Sequence, residues 1–230
     1  MSRKRFYKQA LATPENTITL DGRVVKTPEK RLLRLPTSAL AEAISAEWQA
    51  QGEVIDSKTM FLTKLANTAV DRVAPRRDVI IAEMVEFAGS DLVCYRADRP
   101  PDLVESQKEK WNQILAWASE SLGATFETAI GVVHIAQPDQ ALDAVRQHFH
   151  AIESFKLTAL HNAMTLTGSA LIAAMAGAGA ISPQSAWECA HIDEDFQILH
   201  WGWDAEAKDR RTLRQREFMT CFHFLSLLAE

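Results

Sequence analysis

His191 stands just before an acidic run, Asp193-Glu194-Asp195, and Trp201-Gly202-Trp203 follows that run. On a helix, residues three and four apart are neighbours, so His191 shares a face with Glu194 and Asp195. An imidazole beside a carboxylate is the pair that general acid–base catalysis uses, and it can also serve as two ligands of a metal. Either chemistry needs a further convergent group. A small-molecule hydrolase using Glu194 or Asp195 with His191 in a cleft between domains is the enzymatic reading, but nothing near in the sequence supplies that second group. His148-Phe149-His150 sends its two imidazoles to different sides of a helix, so no metal is expected and the remaining histidines read as solvated or capped.

Other reactive motifs fail on spacing. Gly177-Ala178-Gly179-Ala180 is Gly-rich, yet no Lys-Ser/Thr follows and no third glycine lies at dinucleotide-binding spacing, so no phosphate cradle and no nucleotide cofactor are expected. Gly168-Ser169 only partly matches a nucleophile elbow, which needs Gly-x-Ser-x-Gly. Cys94 follows the apolar pair Leu92-Val93 and reads as a buried, inert thiol.

These residues must be positioned by elements whose order is readable. Short runs at Phe6–Leu11, Thr17–Leu20, Arg23–Thr27 and Leu32–Leu35 predict strands, and Asp21-Gly22 between two of them predicts a tight hairpin turn with positive φ angles. After Pro36 the period changes. Leu40, Ile44 and Trp48 predict a helix capped at Thr37 or Ser38 and stopped at Gly52. Apolar stripes over 62–73, ended by Pro75, and over 80–88, ended by Gly89, predict two more. Pro100-Pro101 opens a helix closing at Gly123, its inward face holding Val104, Trp111, Leu115, Ala118 and Leu122. Residues 130–135 form a possible lone strand. Helices follow over 141–151, over 155–165, after Gly168, from Ser182-Pro183 to about His200, and over 205–228. The fold class is α+β: a small antiparallel β-rich N-terminal domain (1–36, extending with a helix to about 58) and a larger helical domain (59–230).

On one continuous helix through 182–200, Cys189, Ile192, Phe196 and Leu199 form one stripe, and Trp187, Glu194, Ile198 and Trp201 a neighbouring one. Glu194 is then either a carboxylate paired with a cation such as Arg210 or Arg211, or a polar anchor in an apolar interface, where such groups fix orientation.

Composition narrows the classes. The chain has 230 residues, 47% of them hydrophobic, and a net charge of −5, so it can bury a core and carries no field that would attract nucleic acid. Three widely spaced cysteines support neither a disulfide framework nor a zinc knuckle and fit a reducing compartment, the cytoplasm for a bacterial protein. The N-terminus is basic but lacks the apolar run of a secretory signal, and it is too short before the first strand for a transit peptide. Residues 163–181 carry no charge, but their Ala, Gly, Thr and Ser content predicts a closely packed buried helix and no membrane insertion.

Five separated blocks carry a resemblance to a known family. They are Arg5-Phe6-Tyr7-Lys8 with the hairpin Ile18 to Pro28; Leu35-Pro36 with Ala46-Glu47-Trp48; Leu65-Ala66-Asn67-Thr68-Ala69-Val70-Asp71-Arg72; Asp91-Leu92-Val93-Cys94-Tyr95-Arg96-Ala97; and the acidic stretch ending in Trp201-Gly202 with Asp204-Ala205-Glu206-Ala207. In that order, over nearly the whole chain, they resemble the assembly chaperones that act on the α subunit of the F-type ATP synthase catalytic head. Trp203 departs from the acidic or polar residue expected after Trp201-Gly202. The resemblance implies a non-enzymatic, two-domain protein that binds the unassembled α subunit, shields the face later covered by the β subunit, and uses no nucleotide. It implies a free monomer, with the mitochondrial matrix as the location of eukaryotic relatives. It also places a critical acidic residue in the last helical region, at Glu194 or else Asp193; Asp195 and Trp201 complete the expected partner-binding set.

Overall fold

The computed structural model describes residues 3–229, which fall into two compact units. The first comprises the described residues up to Arg77, Glu153–Ala159, and those from Thr220 onward. The second comprises Asp78–Ile152 and Leu160–Met219.

In the first unit, β1 (Arg3–Lys4) pairs antiparallel with β5 (Val54–Ile55), and β2 (Ala10–Ala12), β3 (Ile18–Leu20) and β4 (Arg23–Val24) form an antiparallel sheet in that order. The strands are shorter than the apolar runs suggested. The hairpin turn is as expected: Asp21 and Gly22 have φ of 48° and 79°, which glycine and aspartate tolerate best. Asp21 also ties down the preceding segment, because its carboxylate accepts from the Lys8 and Gln9 N–H groups. Those bonds, Gln9 foremost, hold its carboxyl below the usual carboxylate range.

Helix α1 (Ser38–Gln49) is capped by the Thr37 side chain, which accepts from Leu40 N. It packs on β2 and β3, burying Leu40, Ala41 and Ile44. Glu47, on the same helix, accepts from Leu62 N, Thr63 N and the Thr63 hydroxyl. It thereby supplies from outside the cap that the N-terminus of α2 (Phe61–Thr68) lacks locally. Glu47→Ala is expected to cost about 1–2 kcal/mol, read as a lower denaturant midpoint with an unchanged slope.

Past α2, a wide turn over Ala69–Val73 and a tight one over Ala74–Arg76 carry the chain through Pro75 into α3 (Arg77–Gly89). Proline has no N–H to donate, so regular α-helix stops there but the helical path does not. Buried Asp71 in the wide turn accepts from the Thr27 hydroxyl and Glu29 N.

In the second unit, a tight turn over Leu92–Cys94 leads into β6 (Tyr95–Arg96), which pairs in parallel with β7 (Ala129–Ile130). Between them runs α4 (Pro101–Trp117), extended by a wide turn to Leu122 and ended by Gly123 at φ 70°. Its buried face is Gln107, Trp111, Ile114 and Ala118. Ile114 thus replaces the expected Leu115, and Val104 and Leu122 are only half-buried, because the inward stripe runs 107, 111, 114, 118 and takes in the polar Gln107, which apolar spacing passes over. Then come α5 (Asp139–His150) and α6 (Ser154–Thr167), the latter beginning within the first unit's Glu153–Ala159 segment.

A turn at Gly168 leads to α7 (Ala170–Gly177), whose residues from Ala170 to Ala176 are all buried. Most of the uncharged stretch, up to Ala176, is therefore core, and among the described residues no helix is long and apolar enough to cross a membrane. Helices α8 (Pro183–Ala190), α9 (Ile192–Trp201) and α10 (Ala205–Ser226) complete the chain. Cys94, Cys189 and Cys221 are buried and in no disulfide, and burial pushes the Cys94 thiol up to about 12.

Candidate functional site

The region expected to be one helix is two. Ser182 caps α8 by accepting from Ser185 N, with Pro183 in the first turn, as the sequence predicts. At His191 the backbone leaves helical geometry (φ −120°, ψ 21°) before α9 begins. That break turns α9 relative to α8, so the two stripes drawn on a single wheel separate. Cys189 and Ile192 are buried, Phe196 is half-buried, and Leu199 is 81% exposed.

The same break anchors His191. Its Nδ1 lies 2.7 Å from the Trp187 carbonyl oxygen, which can only accept, so Nδ1 carries the hydrogen. Its ring lies against the Trp187 indole, with centroids 3.7 Å apart. Burial is the main force lowering its pKa, so the imidazole is neutral at pH 7. Its Nε2 is 4.0 Å from a Glu194 carboxylate oxygen, beyond hydrogen-bond reach.

Each acidic residue has its own partner. Asp193 accepts from Gln107 Nε2 at 2.6 Å, and Gln107, buried on α4, accepts from Ala97 N with its other end. Glu194 lies 3.5 Å from Arg211 Nη1, and Asp195 accepts from Arg211 Nη2. Arg211 on α10 thus holds two adjacent carboxylates at once, with its side chain 12% exposed and its guanidinium 5.6 Å above the Trp203 ring. Arg210 instead pairs with Glu206. Glu194 therefore sits in an ionic cluster, not the apolar ring that the continuous wheel implied.

The apolar surface lies one turn further along. Leu199, Trp201 (78% exposed) and Trp203 (48%) stand open to solvent at the end of α9 and in the following loop. A shallow depression of about 210 Å³ runs along α9, lined by Leu103, Lys110, Asp195, Phe196 and Leu199 among others. The segment from Asp193 to Trp203 thus exposes large apolar side chains close in sequence to carboxylates held by Arg211 and Gln107.

Sequence reasoning named Glu194, Asp193, Asp195 and Trp201, and α9 carries all four. Arg211 was one of two cations it considered. Gln107 was missed, although its position four residues before Trp111, on that helix's inward stripe, was a readable signal. Among the described residues no group of three or more His, Cys, Asp or Glu side chains converges as for a metal.

The family model for the ATP12 chaperone protein matches residues 4–119. The mitochondrial protein atp12 of Schizosaccharomyces pombe is 21% identical, over 93% of this chain and 79% of that one. The crystal structure of Atp12 from Paracoccus denitrificans is 37% identical, superposes with a TM-score of 0.91, and is covered over 98% of both chains; an aspartate-to-lysine variant of it matches equally. A chaperone-like protein of Agrobacterium tumefaciens is also 37% identical, with a TM-score of 0.93 over 99% of this chain and 87% of that one.

Proposed function

This chain belongs to the ATP12 family of ATP synthase assembly chaperones, and from that premise we propose that it binds the unassembled α subunit of the catalytic head and shields the surface the β subunit later covers, without using ATP. One observation carries the reading. Leu199, Trp201 and Trp203 leave three large apolar side chains exposed at the end of α9 and just beyond it, in the segment whose carboxylates are held by Arg211 and Gln107. An orphan subunit exposes apolar surface that its neighbour will bury, and a complementary patch of aromatic anchors with fixed polar rims is what covers such surface. Tryptophan is among the residues that most often dominate binding energy. Release needs no bond-making: the β subunit displaces the chaperone by mass action when its contacts are better. The protein is expected in the compartment where the head is assembled, the cytoplasm of a bacterium.

Co-expression with the isolated α subunit tests this. The α subunit should stay soluble and co-purify, and added β subunit should release the chain; an α subunit that aggregates equally with and without the chain ends the proposal. Glu194→Ala separates a binding role from a structural one. Its carboxylate is 41% exposed and its ion pair is long, so folding stability should move by less than about 1 kcal/mol while capture of the α subunit weakens. A variant that unfolds instead makes Glu194 a structural residue.

A further inference from the structure

The first unit carries a groove of about 590 Å³ that the reading above does not use, and its size is that of a ligand cleft. We propose that this groove, walled by Phe6, Val24, Trp48 and Ile55 and rimmed by Arg23 and Lys26, takes a short extended segment of the client chain carrying alternating apolar and acidic residues. The inference rests on the reading that the chain holds a client polypeptide.

Charge selects the occupant. The carboxylate in the groove, Asp21, is engaged by the Lys8 and Gln9 N–H groups. Nearby Arg5 donates to main-chain carbonyls of Tyr7, Lys8 and Gln51. Arg23 and Lys26 are exposed and, among the described residues, no side-chain hydrogen bond or ion pair of theirs is seen. The charge left available is positive on a chain whose net charge is −5, and a carboxylate is its complement.

Shape selects it further. Phe6 is 55% and Val24 46% exposed, so apolar side chains line an open wall. Trp48 adds its indole ring to that wall. Val24 lies on β4, the edge of the three-stranded sheet. Arg23 pairs with Leu20, and Val25 N donates to Ile18 O, so the alternation of an antiparallel ladder turns the Val24 N–H and C=O outward. An added strand can pair there. Lys26 is bridged to Leu32, which closes the edge beyond and limits the occupant to a few residues.

The test uses the full chain and a short, end-blocked fluorescent peptide alternating apolar residues with glutamate, against the same peptide with lysine for glutamate. The acidic peptide should bind at least about tenfold more tightly, and Arg23→Glu/Lys26→Glu should erase that preference. Val24→Asp, which leaves the rim intact, should weaken binding of the acidic peptide about tenfold. Circular dichroism reports whether each variant folds. Equal binding of the two peptides, or a preference untouched by both variants, overturns the proposal. In the α-subunit capture assay, failure of the wild-type chain overturns the client reading and leaves the peptide comparison to decide the groove. Wild-type levels of capture by the folded Arg23→Glu/Lys26→Glu variant overturn the groove's role and leave the client reading standing.

Discussion

Asp91→Ala is expected to lower folding stability by about 3 kcal/mol at pH 7, a loss large enough to shift thermal unfolding by several degrees. Asp91 is fully buried. Its carboxylate accepts from Val93 N, at the start of the tight turn it caps, and from Leu171 N, at the start of α7. It therefore fastens the Leu92–Cys94 turn to the helix that forms the most apolar part of the second unit. Removing it leaves two backbone donors buried without acceptors and opens a cavity.

The same residue gives that loss a pH signature. Burial pushes the Asp91 carboxyl up to about 6, against the opposing pull of bonds from Ser169, Leu171, Val93 and Ala170. An acid whose folded pKa lies above its unfolded one binds protons more tightly when folded. Its contribution to stability is greatest below about pH 4, falls as pH rises to about 6, and is flat above. The wild-type advantage over Asp91→Ala should accordingly be larger at pH 4 than at pH 7, by up to about 3 kcal/mol. His191, buried and neutral, opposes this in the total stability but is present in both proteins and cancels in the difference. Paired urea titrations at the two pH values measure it; a difference that does not change with pH would mean that Asp91 is ionised throughout in the fold.

The second large effect concerns binding alone. Leu199→Ala/Trp201→Ala should weaken capture of the α subunit about a hundredfold, roughly 3 kcal/mol, as expected when two apolar anchors of an interface are truncated together. Both side chains are already about four-fifths exposed in the free protein, so unfolding should move by less than about half a kcal/mol. A folded double variant that holds the α subunit as tightly as the wild type would move the client-binding surface off α9. Arg211→Met extends the comparison: it keeps the bulk beside Trp203 but frees Glu194 and Asp195, so it should weaken capture less than the apolar double variant.

Much of the candidate site was readable along the chain. The acidic run, Trp201 and the caps at Thr37 and Ser182 are local patterns, and their physics is settled within a few residues: a side-chain oxygen meets an N–H of the next turn, and Asp21-Gly22 tolerates positive φ. The change from alternation to helical period after Pro36 likewise marked β-rich from helical structure, and the five-block resemblance pointed to the family that the comparisons bear out.

The rest depends on groups distant in sequence. Gln107 reaches Asp193 across 86 positions and Asp91 reaches Leu171 across 80, separations over which no periodicity carries information. The break at His191 was hidden for a different reason. Its imidazole donates to the Trp187 carbonyl four residues back, a local side-chain bond that competes with helical continuation and that apolar periodicity does not register. Sequence alone thus nominated residues for a binding face and the helical region that would carry them. Only the folded chain decided that Arg211 clamps two of the carboxylates while Leu199 and Trp201 stay in water, because burial and charge pairing are set by neighbours in space and not along the backbone.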